Sequence, residues 1–321
     1  MKTAEKIAIG MRLQTIGVEI EMNHITRKDA AMIAAGYFGT NHYEYTAYTN
    51  GYETWSAWDM DGREWKFQKD VSISGPNDQK CELVTPILKY NDIDTLQELV
   101  RLLRKAGAIS NPNNGCGVHI HIGADGHTAQ SLRNLANIMA SHEHLLTAAI
   151  HISNSRIESF CKPVDENFLN AINEKKPKTM EEMQEIWYNT QYTGYYGNTE
   201  HYNPTRYHML NLHATFTKGT IEFRLFQFDN PHGGKKGGLH AGKLKAYIQL
   251  ALALSQAAKE LKNASPKKLE TDNPKYAMRC WLLRLGFIGD EFKTARDHLL
   301  CKLDGNAAWR HGNNTEQEDA A

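Results

Sequence analysis

Three short segments of this chain alternate apolar and ionisable residues with a period of two: IGVEIEM at 16–22, GVHIHIG at 117–123 and TIEFRLF at 220–226. Successive side chains of a β-strand point to opposite faces, so each segment reads as a strand with one apolar and one ionisable face. Val18, Ile20 and Met22 oppose Glu19 and Glu21. Val118, Ile120 and Ile122 oppose His119 and His121, and Ile221, Phe223 and Leu225 oppose Glu222 and Arg224. A fourth strand, starting at Cys81, adds Glu82 ahead of Leu83 and Val84. A single such strand is ordinarily the solvated side of an antiparallel sheet. If all four pack on helices through their apolar faces, four carboxylates and two imidazoles collect on one side and need a counter-charge. Divalent cations supply it: carboxylate oxygens suit Mg²⁺ or Mn²⁺, and an imidazole tilts the choice towards Mn²⁺ at one site.

The rest of the pattern predicts an α+β fold, a mainly antiparallel sheet backed by helices, because strands and helices mix without a βαβ repeat. Thr26 is placed to cap a helix from Arg27, and residues 37–68, rich in Tyr and Trp, read as short strands joined by turns. Cys81 to Leu88 reads as a strand whose Pro86 marks a sheet edge or a strand end. An amphipathic helix is expected over 91–107, a long helix from Thr128 to Ile150, one or two short helices within the polar stretch 153–205, a strand from Thr215 to Phe228, and a helix over 240–261. The expectation is one catalytic domain over 1–304 and a flexible tail from 305. Lys plus Arg equals Asp plus Glu at 37 each, which lacks the basic excess of a nucleic-acid binder. No apolar run is long enough for a membrane helix, and the first residues lack the shape of a signal peptide. The five cysteines show no Cys-x-x-Cys spacing, which argues against a disulfide framework or structural zinc and for a cytoplasmic protein.

The motifs GVEIEM, CELVTPIL, CGVHIHIG, RYHMLNLH and GTIEFRLF, followed by LHAGKLKAYIQLALALS, occur in this order across roughly residues 16 to 260. Together they resemble the amidoligase family, which is grouped with glutamine synthetase and glutamate–cysteine ligase. The resemblance implies a curved antiparallel sheet of the glutamine-synthetase type with a funnel-shaped site. It implies ATP, Mg²⁺ or Mn²⁺, and an amide formed between a small-molecule or peptide carboxylate and an amine through an acyl phosphate. By matching motif, Glu19, Glu21, Glu82, Glu222 and either or both of His119 and His121 would hold metal. One Glu of the first pair would serve the cation beside the nucleotide, the other the cation beside the acyl substrate. Arg224 and Arg206 would contact the transferring phosphate. Asn211 and His213, alternating on one strand, are candidates for the same region. Asp70 and Ser72 match an Asp-x-Ser segment that would hold the acyl or amine substrate, although both residues also favour turns.

Residues 237–244, GGLHAGKL, nearly form a phosphate-binding Gly-rich loop, but Leu244 stands where a Ser or Thr would bind Mg²⁺. The segment is better read as a helix start, where His240 and Lys243 could meet an anionic substrate. The preceding FDNPHGGKKGG reads as a flap over the site. Three other functions compete with the ligase: a phosphotransferase on the same sheet, a metal-dependent hydrolase needing no ATP, and a binding or scaffold protein. The retention of Glu19, Glu21, Glu82, Glu222 and Arg224 together argues against the last.

Overall fold

The computed structural model describes residues 1–47, 51–230 and 237–310. Eight strands form one sheet: β1 (Ile16–Met22), β2 (Tyr43–Tyr45), β3 (Trp55–Trp58), β4 (Glu64–Gln68), β5 (Cys81–Val84), β6 (Val118–Gly123), β7 (Leu210–Asn211) and β8 (Thr220–Phe226). Their order is β2-β3-β4-β5-β1-β6-β8-β7, and every pairing is antiparallel. The ionisable strands β5, β1, β6 and β8 are thus immediate neighbours in the interior of the sheet.

The apolar faces do what the alternation predicts. Val18, Ile20, Met22, Val118, Ile120, Ile122, Ile221, Phe223 and Leu225 are all buried. They join a core that includes the helices Ile93–Lys105, Ala129–Ile150 and Ala241–Glu260. The helix Arg27–Phe38 covers β2, β3 and β4. Its Thr26 cap accepts from the Asp29 N–H at 3.1 Å, and Gly39, at φ 77°, closes its end. Thr128 likewise caps the 129–150 helix through the Ser131 N–H.

Several expectations need correction. The strand expected over 215–228 is β8 alone, because His213–Lys218 is a helix that Gly219 stops at φ 70°. Leu210 and Asn211 are therefore the whole of β7, and His213 does not alternate with Asn211 on a strand. The polar stretch 153–205 holds three helices, Asn154–Ser159, Glu166–Lys175 and Met180–Thr190. Asp165 and Thr179 cap the second and third. Pro86 follows a strand end, but β5 lies inside the sheet and is no edge. The helix expected from 91 begins at Ile93, after a short 3₁₀ turn.

Part of the expected tail is fastened: the Asn273 amide donates to the carbonyls of Asn306, Trp309 and Arg310. Its remainder, 311–321, and the centre of the expected flap, 231–236, lie outside the described residues. Among those described, no helix is long and apolar enough to cross a membrane.

Candidate active site

Strand register brings the ionisable residues together. Glu21 stands opposite Glu82, Glu19 opposite His119, and His121 opposite Glu222. Because these strands are neighbours and the residues share pleat parity, all five carboxyl and imidazole partners of the first three strands and Glu222 end on one side. Two sets of ligand atoms lie within 4.8 Å of one another: Glu19, His119 and Glu222 form one triad, and Glu21, Glu82 and His119 form the other. His119 is common to both.

The contacts are close. His119 Nδ1 lies 3.1 Å from Glu19 Oε2 and 3.7 Å from Glu222 Oε1, while its Nε2 lies 3.9 Å from Glu21 Oε1. Arg224 Nη1 donates to Glu222 Oε1 at 2.5 Å, and Asn211 Nδ2 donates to Glu222 Oε2 at 2.6 Å. Gln68 Nε2 donates to Glu82 Oε2 at 2.7 Å, and the Gly117 N–H donates to Glu21 Oε2 at 2.5 Å. His121 stands to one side. Its Nδ1 lies 2.9 Å from Thr220 Oγ1 and its Nε2 3.3 Å from Glu19 Oε1, and it belongs to neither triad.

Burial and charge pull these carboxyls apart. Burial pushes Glu82 well above the usual carboxylate range, and Glu19, Glu21 and Asp70 push it the same way. Burial also presses on Glu19, but His121 and His119 outweigh it and hold that carboxyl well below the usual range. For Glu222, Arg224 and then His121 overcome burial in the same sense. One carboxyl is thus driven towards its neutral form by burial and, after it, by like charges, and that is where a bound cation would be welcome.

Glu19, Glu21, Glu82 and His119 line a cavity of about 320 Å³, and Glu222 completes the first triad beside them without lining it. Asp70 and Ser72 line it, linked by a Ser72 N–H to Asp70 Oδ1 bond of 2.6 Å. Arg206, Arg224, Lys69, Lys218 and His201 also reach it, as do Tyr52, Tyr202 and Tyr207. Both arginines approach the Tyr207 ring, the Arg206 guanidinium at 5.6 Å and that of Arg224 at 5.7 Å. Burial, with Arg206 and Lys218 nearby, pushes His201 down to about 4, so it is a neutral cavity residue near pH 7.

Six expected residues do not line this cavity: His121, Glu222, Asn211, His213, Lys243 and His240. His213 is buried, with Nδ1 2.7 Å from the Tyr188 hydroxyl. Lys243 pairs with Asp229, which also pairs with Lys302. His240 caps the 241–260 helix by accepting from the Lys243 N–H at 3.2 Å, and its ring meets His298 edge-on. The helix start is as expected, but its first turn is filled by the chain's own charges. Asn211 reaches Glu222 rather than the cavity.

Sequence reasoning missed Gln68, Lys69, Lys218, His201, Tyr207 and Arg156, all of which line the cavity. Gln68 was recoverable in part, since it is the register partner of Glu82.

A family model described as "Putative amidoligase enzyme" matches residues 12–255. No curated protein matches the chain. Among solved structures, a bifunctional glutathione synthetase from Pasteurella multocida is similar with a TM-score of 0.45 at 13% identity. The match covers 92% of this chain and 48% of that one, so the chain spans about half that enzyme's length.

Proposed function

We propose, from the premise that this chain belongs to the amidoligase family, that it joins a carboxylate to an amine at the expense of ATP, with divalent cations on the cavity floor. The observation that carries this reading is the pair of triads sharing His119, with guanidinium groups at their margin.

The donor set fits Mg²⁺ or Mn²⁺. It is mostly carboxylate oxygen with one imidazole, and Glu82 is driven up by burial and then by neighbouring carboxylates, whose charge a cation would offset. Glu19, His119 and Glu222 would hold one ion, Glu21, Glu82 and His119 the other. When bound, such ions neutralise charge on phosphate oxygens.

The chain's own residues do the positioning. Asn211 and Arg224 fix the two oxygens of Glu222, and Gln68 fixes Glu82. Arg224 and Arg206 both line the cavity and both lie against the Tyr207 ring, and together they would offer two guanidinium charges to a phosphate group. Asp70, held by its bond with the Ser72 N–H, would offer a carboxylate in the cavity to an ammonium group. The substrate carboxylate oxygen takes the terminal phosphoryl group and ADP leaves. The ammonium group first loses a proton to solvent, the free amine attacks the acyl carbon, and phosphate leaves carrying the second proton from nitrogen.

The test is ATP-dependent hydroxamate formation with a panel of amino acids and peptides, in Mg²⁺ and then Mn²⁺, with Glu222→Gln as control. Hydroxamate that needs both ATP and metal, and disappears in the variant, supports the ligase. A phosphorylated acceptor without free phosphate would favour a phosphotransferase. Absence of turnover together with absence of metal-dependent nucleotide binding would overturn the reading in favour of a hydrolase.

A further inference from the structure

Gly117 precedes His119 by two residues on the same side of the pleat, opposite the Glu21 backbone. A Cβ built on Gly117 would come 2.0 Å from Nη1 and 2.4 Å from Nη2 of Arg156. The guanidinium of Arg156 therefore fills the place that a side chain at 117 would take. It extends the row of His119 and His121 with a cation brought in from the Asn154–Ser159 helix.

Arg156 is 2% exposed and still lines the cavity. Its Nη2 donates to the carbonyl oxygens of Arg224 at 2.9 Å and Phe226 at 3.4 Å. Its Nε is buried with no hydrogen-bond partner. Among the described residues it forms no salt bridge, whereas Lys69 has Glu53 and Arg224 has Glu222. The nearby Glu21 carboxylate spends one oxygen on the Gly117 N–H instead. The Cys161 thiol beside it, hydrogen-bonded to Arg156, is nevertheless pushed up by burial and brings no negative charge. A guanidinium taken out of water costs several kcal/mol unless paired, roughly, and two carbonyls offset only part of that. The missing partner is an anion, and the cavity is the open approach to this group.

We propose that Arg156 binds an oxyanion, a phosphate or carboxylate group of a substrate, beside the Glu21–Glu82–His119 triad. Which group it binds rests on the ligase reading; that it binds an anion does not.

The experiment titrates inorganic phosphate, and separately ATP with Mg²⁺, into the full-length protein by calorimetry. Wild type is compared with Arg156→Met, Arg156→Lys and Gly117→Ala, and thermal midpoints are recorded for each. Ala at 117 dislodges the guanidinium without removing its charge, and Lys keeps a cation that can still reach the carbonyls. Loss of one charge-assisted contact should weaken the affected ligand by about tenfold or more in the Met variant, with partial recovery in Lys. Weaker phosphate and ATP binding assigns the anion to the nucleotide. Unchanged ATP binding, with a higher KM for the carboxylate in the hydroxamate assay, assigns it to the acyl substrate. Should Arg156→Met not fold, the Lys and Gly117→Ala variants give the same comparison. Variants with lower thermal midpoints but wild-type affinity for phosphate, ATP and carboxylate would reduce Arg156 to a clip on β8 and overturn the proposal. A wild type that binds none of these probes would overturn it too. A wild type that binds phosphate through Arg156, yet forms no hydroxamate and binds no nucleotide in the presence of metal, would sink the ligase and leave this inference standing.

Discussion

Glu21 and Glu82 face each other as direct partners on the antiparallel strands β1 and β5, both buried. Like charges placed opposite one another destabilise a sheet. Gln68 and the Gly117 N–H donate to them, and His119 Nε2 stands 3.9 Å from Glu21 Oε1. We expect Glu82→Gln to raise the stability of the metal-free protein by about 1–2 kcal/mol while removing most of the stabilisation that Mn²⁺ gives wild type. Thermal unfolding with Mn²⁺ and with a chelator measures both. A variant less stable than wild type in chelator would show that the pair is not under electrostatic load.

His119 is shared by both triads and His121 by neither. Replacing His119 by Ala is expected to abolish or weaken both cation sites, whereas His121→Ala should leave the number of bound ions unchanged. Mn²⁺ binding followed by electron paramagnetic resonance counts them. Equal loss in the two variants would contradict the assignment.

Asn211 touches no part of the cavity but orients Glu222 from behind at 2.6 Å. Partners of this kind are worth roughly 10–100-fold in metal affinity. Asn211→Ala should weaken one cation site by that factor and leave the thermal midpoint in chelator close to that of wild type. A large fall in that midpoint with unaltered metal affinity would make Asn211 a structural residue instead.

Away from the site, burial lifts the Glu143 carboxyl from 4.5 to about 7, against the Val164 N–H that it accepts at 3.1 Å. The folded chain then holds this proton more tightly than the unfolded chain. Its contribution to stability is complete below about pH 4.5 and is lost as pH rises through about 7. Glu143→Gln should therefore gain about 1–2 kcal/mol over wild type at pH 8, allowing for partial exposure, and little at pH 4.5. Denaturant unfolding at the two pH values checks this, and an equal difference at both would refute it.

The strands that build the triads were readable because a two-residue period carries its own geometry. Once IGVEIEM, GVHIHIG and TIEFRLF are strands, the faces follow. What that period does not encode is which side chain arrives from elsewhere. Arg156 sits in a six-residue helix within a polar stretch, and its only trace on the strand is a glycine. His213 was misplaced because HATFTK carries no period that separates strand from helix over so short a run, and Gly219 decides the matter by ending it. Lys243 and His240 looked available at a helix start because the ion pair with Asp229 depends on tertiary packing.

The strict alternation on β1, β6 and β8 also acts as an error check on folding. A slip of one residue in the β1–β6 pairing would turn Glu or His into the core and leave Ile or Val on the cavity floor. The same backbone hydrogen bonds thus certify the core and the site together. A chain that has assembled its interior has necessarily assembled its floor, and a misregistered one lacks both.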